Sequence, residues 1–401
     1  MFFRKKETER IEAIRQERVV ENDLGVMDLP YLLLTLLLVV IGLIMLFSAS
    51  FARAYYVTGN SAKYFTSQLI FALLGVAALY GMSRVPYEWY FKLSRLIYGV
   101  SVLFLVAVLL IGTNVNGATR WINLGFTNLQ PSEIAKLALI ISLSVLMTRN
   151  QKDIKSPRTF FACAGALAFI AVLLILEPHF SATIIVAALC FCMMAVGGIN
   201  RKYLTIVAVI GAAGLLYLLL SGGYTSARLT AWRNPEADPL DSGLQILQSE
   251  YAIGSGGLLG LGFGKSRQKY LYLPEEHNDF IFSVVCEELG FIGASAILLL
   301  FAMLVVRGYW ISMQSSDRFS FLAGCGITTM LALQVVLNVA VCTNLVPCTG
   351  ISLPFFSYGG TALLIQMGEA GILLSISREN PCAAYAPRQL FQTVKNQKIE
   401  E

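Results

Sequence analysis

The sequence predicts an all-α polytopic membrane protein: ten transmembrane helices, both termini cytoplasmic, and one large extracytoplasmic loop between spans seven and eight. Three observations lead there. Of 401 residues, 56% are hydrophobic and only 14% are charged, against roughly 25% charged in a soluble domain, and the mean hydropathy is +0.66. The apolar residues come in long unbroken runs, and a bilayer crossing takes about 20 of them. The lysines and arginines gather at alternate ends of those runs, as they do around membrane helices. A water-soluble enzyme cannot hide this much apolar surface, intrinsic disorder needs the opposite composition, and a transmembrane barrel would alternate in short segments.

The first span, 29–50, follows a charged tail, 1–28, that lacks the apolar core and cleavage site of a signal peptide. That tail either lies on anionic lipid through its basic residues or is simply solvated. Spans 64–82 and 96–112 are separated by a turn carrying Arg84, Lys92 and Arg95. Span four, 132–148, opens behind Pro131, a residue suited to a first helical turn. Spans five and six, 158–176 and 180–198, are divided by a tight break at Glu177, Pro178 and His179. Span seven, 203–221, follows Arg201 and Lys202. Residues 222–277 are long for a connection, and their apolar, aromatic and Gly-rich stretches predict a structure folded against the bundle. Spans 278–306, 319–342 and 355–377 complete the membrane domain, 29–378, and a tail, 379–401, ends the chain. Most of the 30 Lys and Arg fall on the face that holds both termini, which assigns that face to the cytoplasm.

The net charge of +5 is membrane topology rather than a nucleic-acid footprint. Most of the eight cysteines lie in apolar runs, where a thiol is a small hydrophobe. None has zinc-type spacing, and Cys342 and Cys348 are read as free thiols near one face. The glycine-rich run Gly254 to Lys265-Ser266 fails as a phosphate loop because position 259 is Leu259. It is read as backbone that comes close to other chain or to a ligand.

Ionisable groups within a membrane are costly, so each is a candidate for function. Glu133 and Lys136 are spaced by three and share a helical face, as a local ion pair or as working groups. Asp279 lies at the outer start of span eight, at the depth of Lys136, either as a first-turn carboxylate or as a base in a half-hydrated cleft. Asn278 could cap that helix. Glu287, Glu288 and Glu369 lie deeper and are read as mostly structural, with Glu288 kept as a substrate contact. His277 is close enough to assist Asp279. His179 reads as a turn residue.

Five ordered stretches resemble one family. They are Asn116-Gly117-Ala118-Thr119-Arg120-Trp121-Ile122 running into Gln130-Pro131-Ser132-Glu133, then Glu177-Pro178-His179, then Tyr251 to Gly257, then Leu273-Pro274-Glu275 to Gly290, and finally Thr349 to Pro354 with Ser357-Tyr358-Gly359-Gly360. The chain resembles the SEDS proteins (shape, elongation, division and sporulation), bacterial peptidoglycan polymerases of the FtsW, RodA and SpoVE type. The wording 265–270 before Leu273-Pro274-Glu275 leans towards the division and sporulation branch.

The resemblance implies a glycosyltransferase in the bacterial cytoplasmic membrane. Its substrate would be lipid II, the undecaprenyl-pyrophosphate-linked disaccharide pentapeptide. Asp279 falls on the family's essential acid, and Lys136, Glu133, Arg120 and Trp121 fall on its other motif positions. His179-Phe180-Ser181 stands where members often carry Asp-Leu-Gly. Asp279 would take the proton from the acceptor 4-hydroxyl. Lys136, Arg120, Arg228 and Arg233 are candidates for neutralising the pyrophosphate, with a divalent cation such as Mg2+ left open. Trp121 would stack on a sugar or anchor the interface. A single-span class B penicillin-binding protein and other divisome or elongasome proteins are the implied partners. The rivals are a lipid II flippase without bond chemistry and a scaffold that only positions a partner enzyme.

Overall fold

Leucine, isoleucine, valine and alanine satisfy their own backbone in a helix while presenting apolar side chains in every direction, which is what a bilayer demands. The computed structural model describes residues 27–115, 118–123, 125, 127–220, 231–239 and 243–378. Each predicted span falls on one helix. These are α1 (Leu29–Thr58), α2 (Lys63–Arg84), α3 (Tyr87–Ile111), α4 (Pro131–Arg149), α5 (Pro157–Leu176), α6 (Phe180–Val196) and α7 (Arg201–Leu220). After the short α8 (Leu244–Gly256) come α9 (Ile281–Met313), α10 (Arg318–Cys342) and α11 (Gly360–Arg378). Among the described residues, eight are long and apolar enough to cross a membrane; α6 is apolar but shorter. The chain is therefore a multi-pass helical membrane protein.

The helix edges follow local chemistry. Asp28 caps α1 by accepting from the Tyr31 amide at 2.9 Å, and Pro131 sits in the first turn of α4. Glu177 to His179 separate α5 from α6 as expected. Between α3 and α4 no strand was expected. There β1 (Thr113–Val115), β2 (Ala118–Asn123) and β3 (Asn128–Leu129) form a small antiparallel sheet in the order β1-β2-β3. At the opposite end, Arg307 holds Asp28 with its guanidinium at 2.7 Å, and the Asp28 amide donates to Ser377 Oγ at 3.2 Å. Residues 28 and 378 therefore lie at one end of the bundle. The described cysteines are all free, Cys342 and Cys348 among them.

The eighth predicted span differs most from expectation. Its helix begins at Ile281, so Asp279 precedes the first turn, and Asn278 donates to Glu275 Oε2 at 2.6 Å instead of capping. Gly290 then breaks it with φ 66 and ψ −170. In an unbroken helix the amides of Phe291 and Ile292 would bond the carbonyls of Glu287 and Glu288. Here those amides donate instead to Gly257 O at 2.9 Å and Leu258 O at 3.1 Å. The freed carbonyls accept from Leu261 N at 2.9 Å and Gly262 N at 3.0 Å. The glycine-rich loop is threaded into the ladder of α9, and a Cβ on Gly260 would collide with the Glu288 carbonyl. Its amides are spent on protein, in line with close backbone approach.

The same loop carries the partners of both deep glutamates. Glu287 accepts from the amides of Arg267 at 2.9 Å and Gln268 at 3.4 Å and from the Ser266 hydroxyl. Glu288 holds Lys269 Nζ at 2.9 Å and accepts from Ser48 of α1 at 2.7 Å. Lys269 is 3% and Glu288 1% exposed, so each charge depends on the other. Lys269→Met is expected to cost about 3–5 kcal/mol by leaving a buried carboxylate unpaired. The loss is read from the thermal unfolding midpoint in detergent, and adding Glu288→Gln is expected to recover most of it. Equal midpoints for the single and double variants would rule out charge pairing as the cause.

Candidate functional site

A cavity of about 680 Å³ opens at the end of the bundle away from Asp28 and Arg307. Arg120 and Trp121 reach it from β2, Glu133 and Lys136 from the first turns of α4, and His179 and Ser181 from the α5–α6 break. Asp279 faces it from the turn before α9, and residues 348–353 and 357–360 form much of the remaining wall. Residues from five regions of the chain thus share one volume, within the few hundred to 1,000 Å³ usual for small-molecule sites.

Lys136 Nζ donates to Glu133 at 2.7 Å, and the two side chains are 4% and 9% exposed. α4 lies centrally in the bundle, flanked by α3, α5 and α10, so this pair is desolvated on most sides and its charges cannot be met by bulk water. Arg120 donates through Nη2 to the Pro178 carbonyl, which ties the sheet to the α5–α6 break. Ser181 donates to the Thr349 carbonyl.

Three successive carbonyls fix the chain at Asp279. His277 O accepts from Tyr358 N at 2.9 Å, and Asn278 O from Ser357 Oγ at 2.7 Å. Asp279 O accepts from Asn338 Nδ2 at 2.8 Å, and Asn338 also donates to Ile351 O at 2.7 Å. The Asp279 carboxylate is left facing the cavity beside Gly350. A Cβ at Gly350, where φ is +68°, would lie 3.3 Å from Asp279 Oδ2, so glycine serves there both for conformation and for room. Three residues before Asp279, Arg53 of α1 grips Glu276 at 2.9 and 3.1 Å.

The other sequence candidates are placed differently. His277 is buried outside the cavity, stacked on Tyr64 at 4.9 Å between ring centroids. Burial lowers its pKa to about 4, with Glu275 opposing and Arg53 assisting, so it is a neutral packing group. Glu288 is also outside, consumed by Lys269 and Ser48. Arg233 is exposed and does not line the cavity, and Arg228 lies outside the described residues. Among the described residues no three His, Cys, Asp or Glu side chains gather as a metal-binding group; the cations lining the cavity are Arg120 and Lys136. Gln334 and Gln366 also line it. No motif spacing marked them, because each is a lone amide on a long apolar helix.

His179, read from the sequence as a turn residue, lines the cavity at 6% exposure. Two residues earlier Glu177 is fully buried, and neither of its carboxylate oxygens has a hydrogen-bond partner. Burial pushes the Glu177 carboxyl up to about 8, with Arg120 pulling the other way. An acid whose folded pKa is raised contributes stability below its unfolded value that is lost as pH climbs to the folded value. Glu177→Gln is therefore expected to match wild type near pH 4.5 and to gain up to about 1.4 kcal/mol per pH unit until pH 8. Unfolding midpoints across that range check it, and a gain on acidification would contradict a protonated Glu177.

The FtsW/RodA/SpoVE model, described as "Cell cycle protein", matches residues 29–381. Stage V sporulation protein E of Bacillus subtilis is 42% identical over 354 residues, covering 88% of this chain and 97% of that protein. The probable peptidoglycan glycosyltransferase FtsW of Trichlorobacter lovleyi is 39% identical over 358 residues, 87% of this chain and 93% of its own length. Among solved structures, one from a study of polymerization and crosslinking by a peptidoglycan synthase complex superposes with a TM-score of 0.74 at 27% identity, covering 89% of this chain and 99% of that one. The Thermus thermophilus rod shape determining protein RodA gives 0.66 at 27% identity, covering 89% and 98%.

Proposed function

Because the chain belongs to the FtsW/RodA/SpoVE family, we propose that it is a peptidoglycan glycosyltransferase that polymerises lipid II into glycan strands. The observation that carries this reading is the shared cavity, where Asp279 meets Lys136, Glu133 and Arg120. A general base, fixed cations and a water-limited wall are what glycosyl transfer to a hydroxyl requires.

In this mechanism Asp279 takes the proton of the acceptor sugar 4-hydroxyl. The acceptor oxygen attacks the anomeric carbon of the donor from the face opposite the diphosphate, so the configuration inverts. The bond from that carbon to the diphosphate oxygen breaks, and its electron pair leaves with the diphosphate. A diphosphate is already a stable anion, so it needs cations more than an acid, and Lys136 and Arg120 supply them. Glu133 pairs with Lys136 and aims the ammonium. Trp121 offers a flat face to a sugar ring. The pinned carbonyls of 277–279 hold the base in place while the glycan slides past it.

The nucleophile and leaving group belong on the extracytoplasmic side of the bacterial cytoplasmic membrane, where the end of the bundle away from the termini would lie. A class B penicillin-binding protein is the expected partner, in keeping with the similar fold found in a peptidoglycan synthase complex. Resemblance to a sporulation protein and to FtsW points to division or sporulation.

Purified protein with its partner, given lipid II in detergent, is expected to make glycan polymer. Asp279→Asn is expected to lower the rate about 10²–10⁴-fold, the usual contribution of a general base. Polymer at the parental rate from that variant removes Asp279 as the base. No polymer from the parent, together with lipid translocation in vesicles, would assign the chain to transport.

A further inference from the structure

The α5–α6 break is the part of the cavity wall that the chemistry above does not use. His179 precedes the first turn of α6, a 17-residue helix whose opening residues Ser181 and Ala182 also line the cavity. The amides that open a helix have no intrahelical acceptor and carry its positive end, so they favour an anion. His179 spends its own amide on Leu174 O at 2.9 Å, and its carbonyl accepts from Thr183 N at 3.1 Å. Its imidazole remains uncommitted: it is 94% buried and lines the cavity, and Nδ1 has no hydrogen-bond partner. Arg120 is anchored one residue away on the Pro178 carbonyl.

We propose that Arg120, Lys136, His179 and the first amides of α6 form a diphosphate site for the lipid-linked leaving group, and that His179 takes up a proton as the diphosphate enters. This deepens the transferase reading and rests on it. The positive groups around His179 are Arg120 on β2 and Lys136 on α4. The acids sharing the wall are Glu133, Glu275 and Asp279; Cys348 and Tyr358 are the other titratable groups on it, and α10 and α11 add Gln334 and Gln366. Glu177 lies behind the break. Burial, then Arg120 and Lys136, lower the His179 pKa to about 3, so the ring is neutral. A diphosphate reverses the local field, because an opposite charge within about 4–6 Å favours the protonated ring. The imidazolium then becomes a third cation, present while the anion is bound and discharged when it leaves. A permanently charged residue would hold the product more tightly through release.

The chain has 2 histidines, so ¹⁵N-histidine NMR of the full-length protein in detergent reads each ring directly, with His277→Gln assigning the signals. Inorganic pyrophosphate and undecaprenyl diphosphate are the two probes, at pH 6.5. Either is expected to convert the His179 signal from neutral to imidazolium, and the lipid form is expected to bind more tightly. His179→Gln, which keeps a donor but cannot take the proton, is expected to bind roughly 10–100-fold more weakly, the loss of a charged hydrogen bond. It is also expected to abolish the proton uptake measured calorimetrically in buffers of different ionisation enthalpy. Asp279→Asn is expected to bind diphosphate with the same proton uptake while its polymer rate falls about 10²–10⁴-fold, so this site and the proposed base fail separately. A His179 signal that stays neutral with either probe bound, or binding of free pyrophosphate but not of the lipid, overturns the proposal.

Discussion

Chain that leaves the helix at membrane depth must find a partner for every backbone N–H and C=O it exposes, because hydrocarbon offers none. That constraint organises this molecule. It explains why the glycine-rich loop is threaded into α9, with four hydrogen bonds doing the work of the two that Gly290 interrupts. It also explains why the segment before α9 is held carbonyl by carbonyl, from Tyr358, Ser357 and Asn338. A non-helical stretch made this rigid can carry a carboxylate at a fixed place on a cavity wall. The position of Asp279 is thus a by-product of satisfying its own backbone.

The second constraint is electrostatic. Three of the described buried acids are each met by a base: Glu133 by Lys136, Glu288 by Lys269 and Glu276 by Arg53. Such pairs add little net stability, since desolvation offsets most of the attraction, but removing one member is expensive. They act chiefly as registers. Lys269 locks the loop to α9 and α1, and Arg53 locks α1 to the turn that carries Asp279. Against this background, Glu177 and His179 are conspicuous for having buried side-chain atoms without hydrogen-bond partners, on either side of a proline whose carbonyl fixes a cavity arginine.

The sequence by itself determined the membrane class, the order of the helices and most of their edges, because those follow from local properties: apolar run length, basic flanks and breaks such as Glu177-Pro178-His179. It also marked Asp279, Lys136 and Glu133, since ionisable groups at the ends of apolar runs stand out, while Arg120 and Trp121 were marked by the family resemblance of their motif. Only the tertiary structure decided which of these share a volume. It left His277 against Tyr64, Glu288 against Lys269 and Arg233 at the surface. Linear spacing fixes which face of one helix a residue occupies, yet it carries no information on which of the other helices that face meets. The break at Gly290 and the placing of His179 on the cavity wall were hidden for the same reason. Each depends on hydrogen bonds or contacts with chain far away in sequence, and those exist only once the bundle has closed.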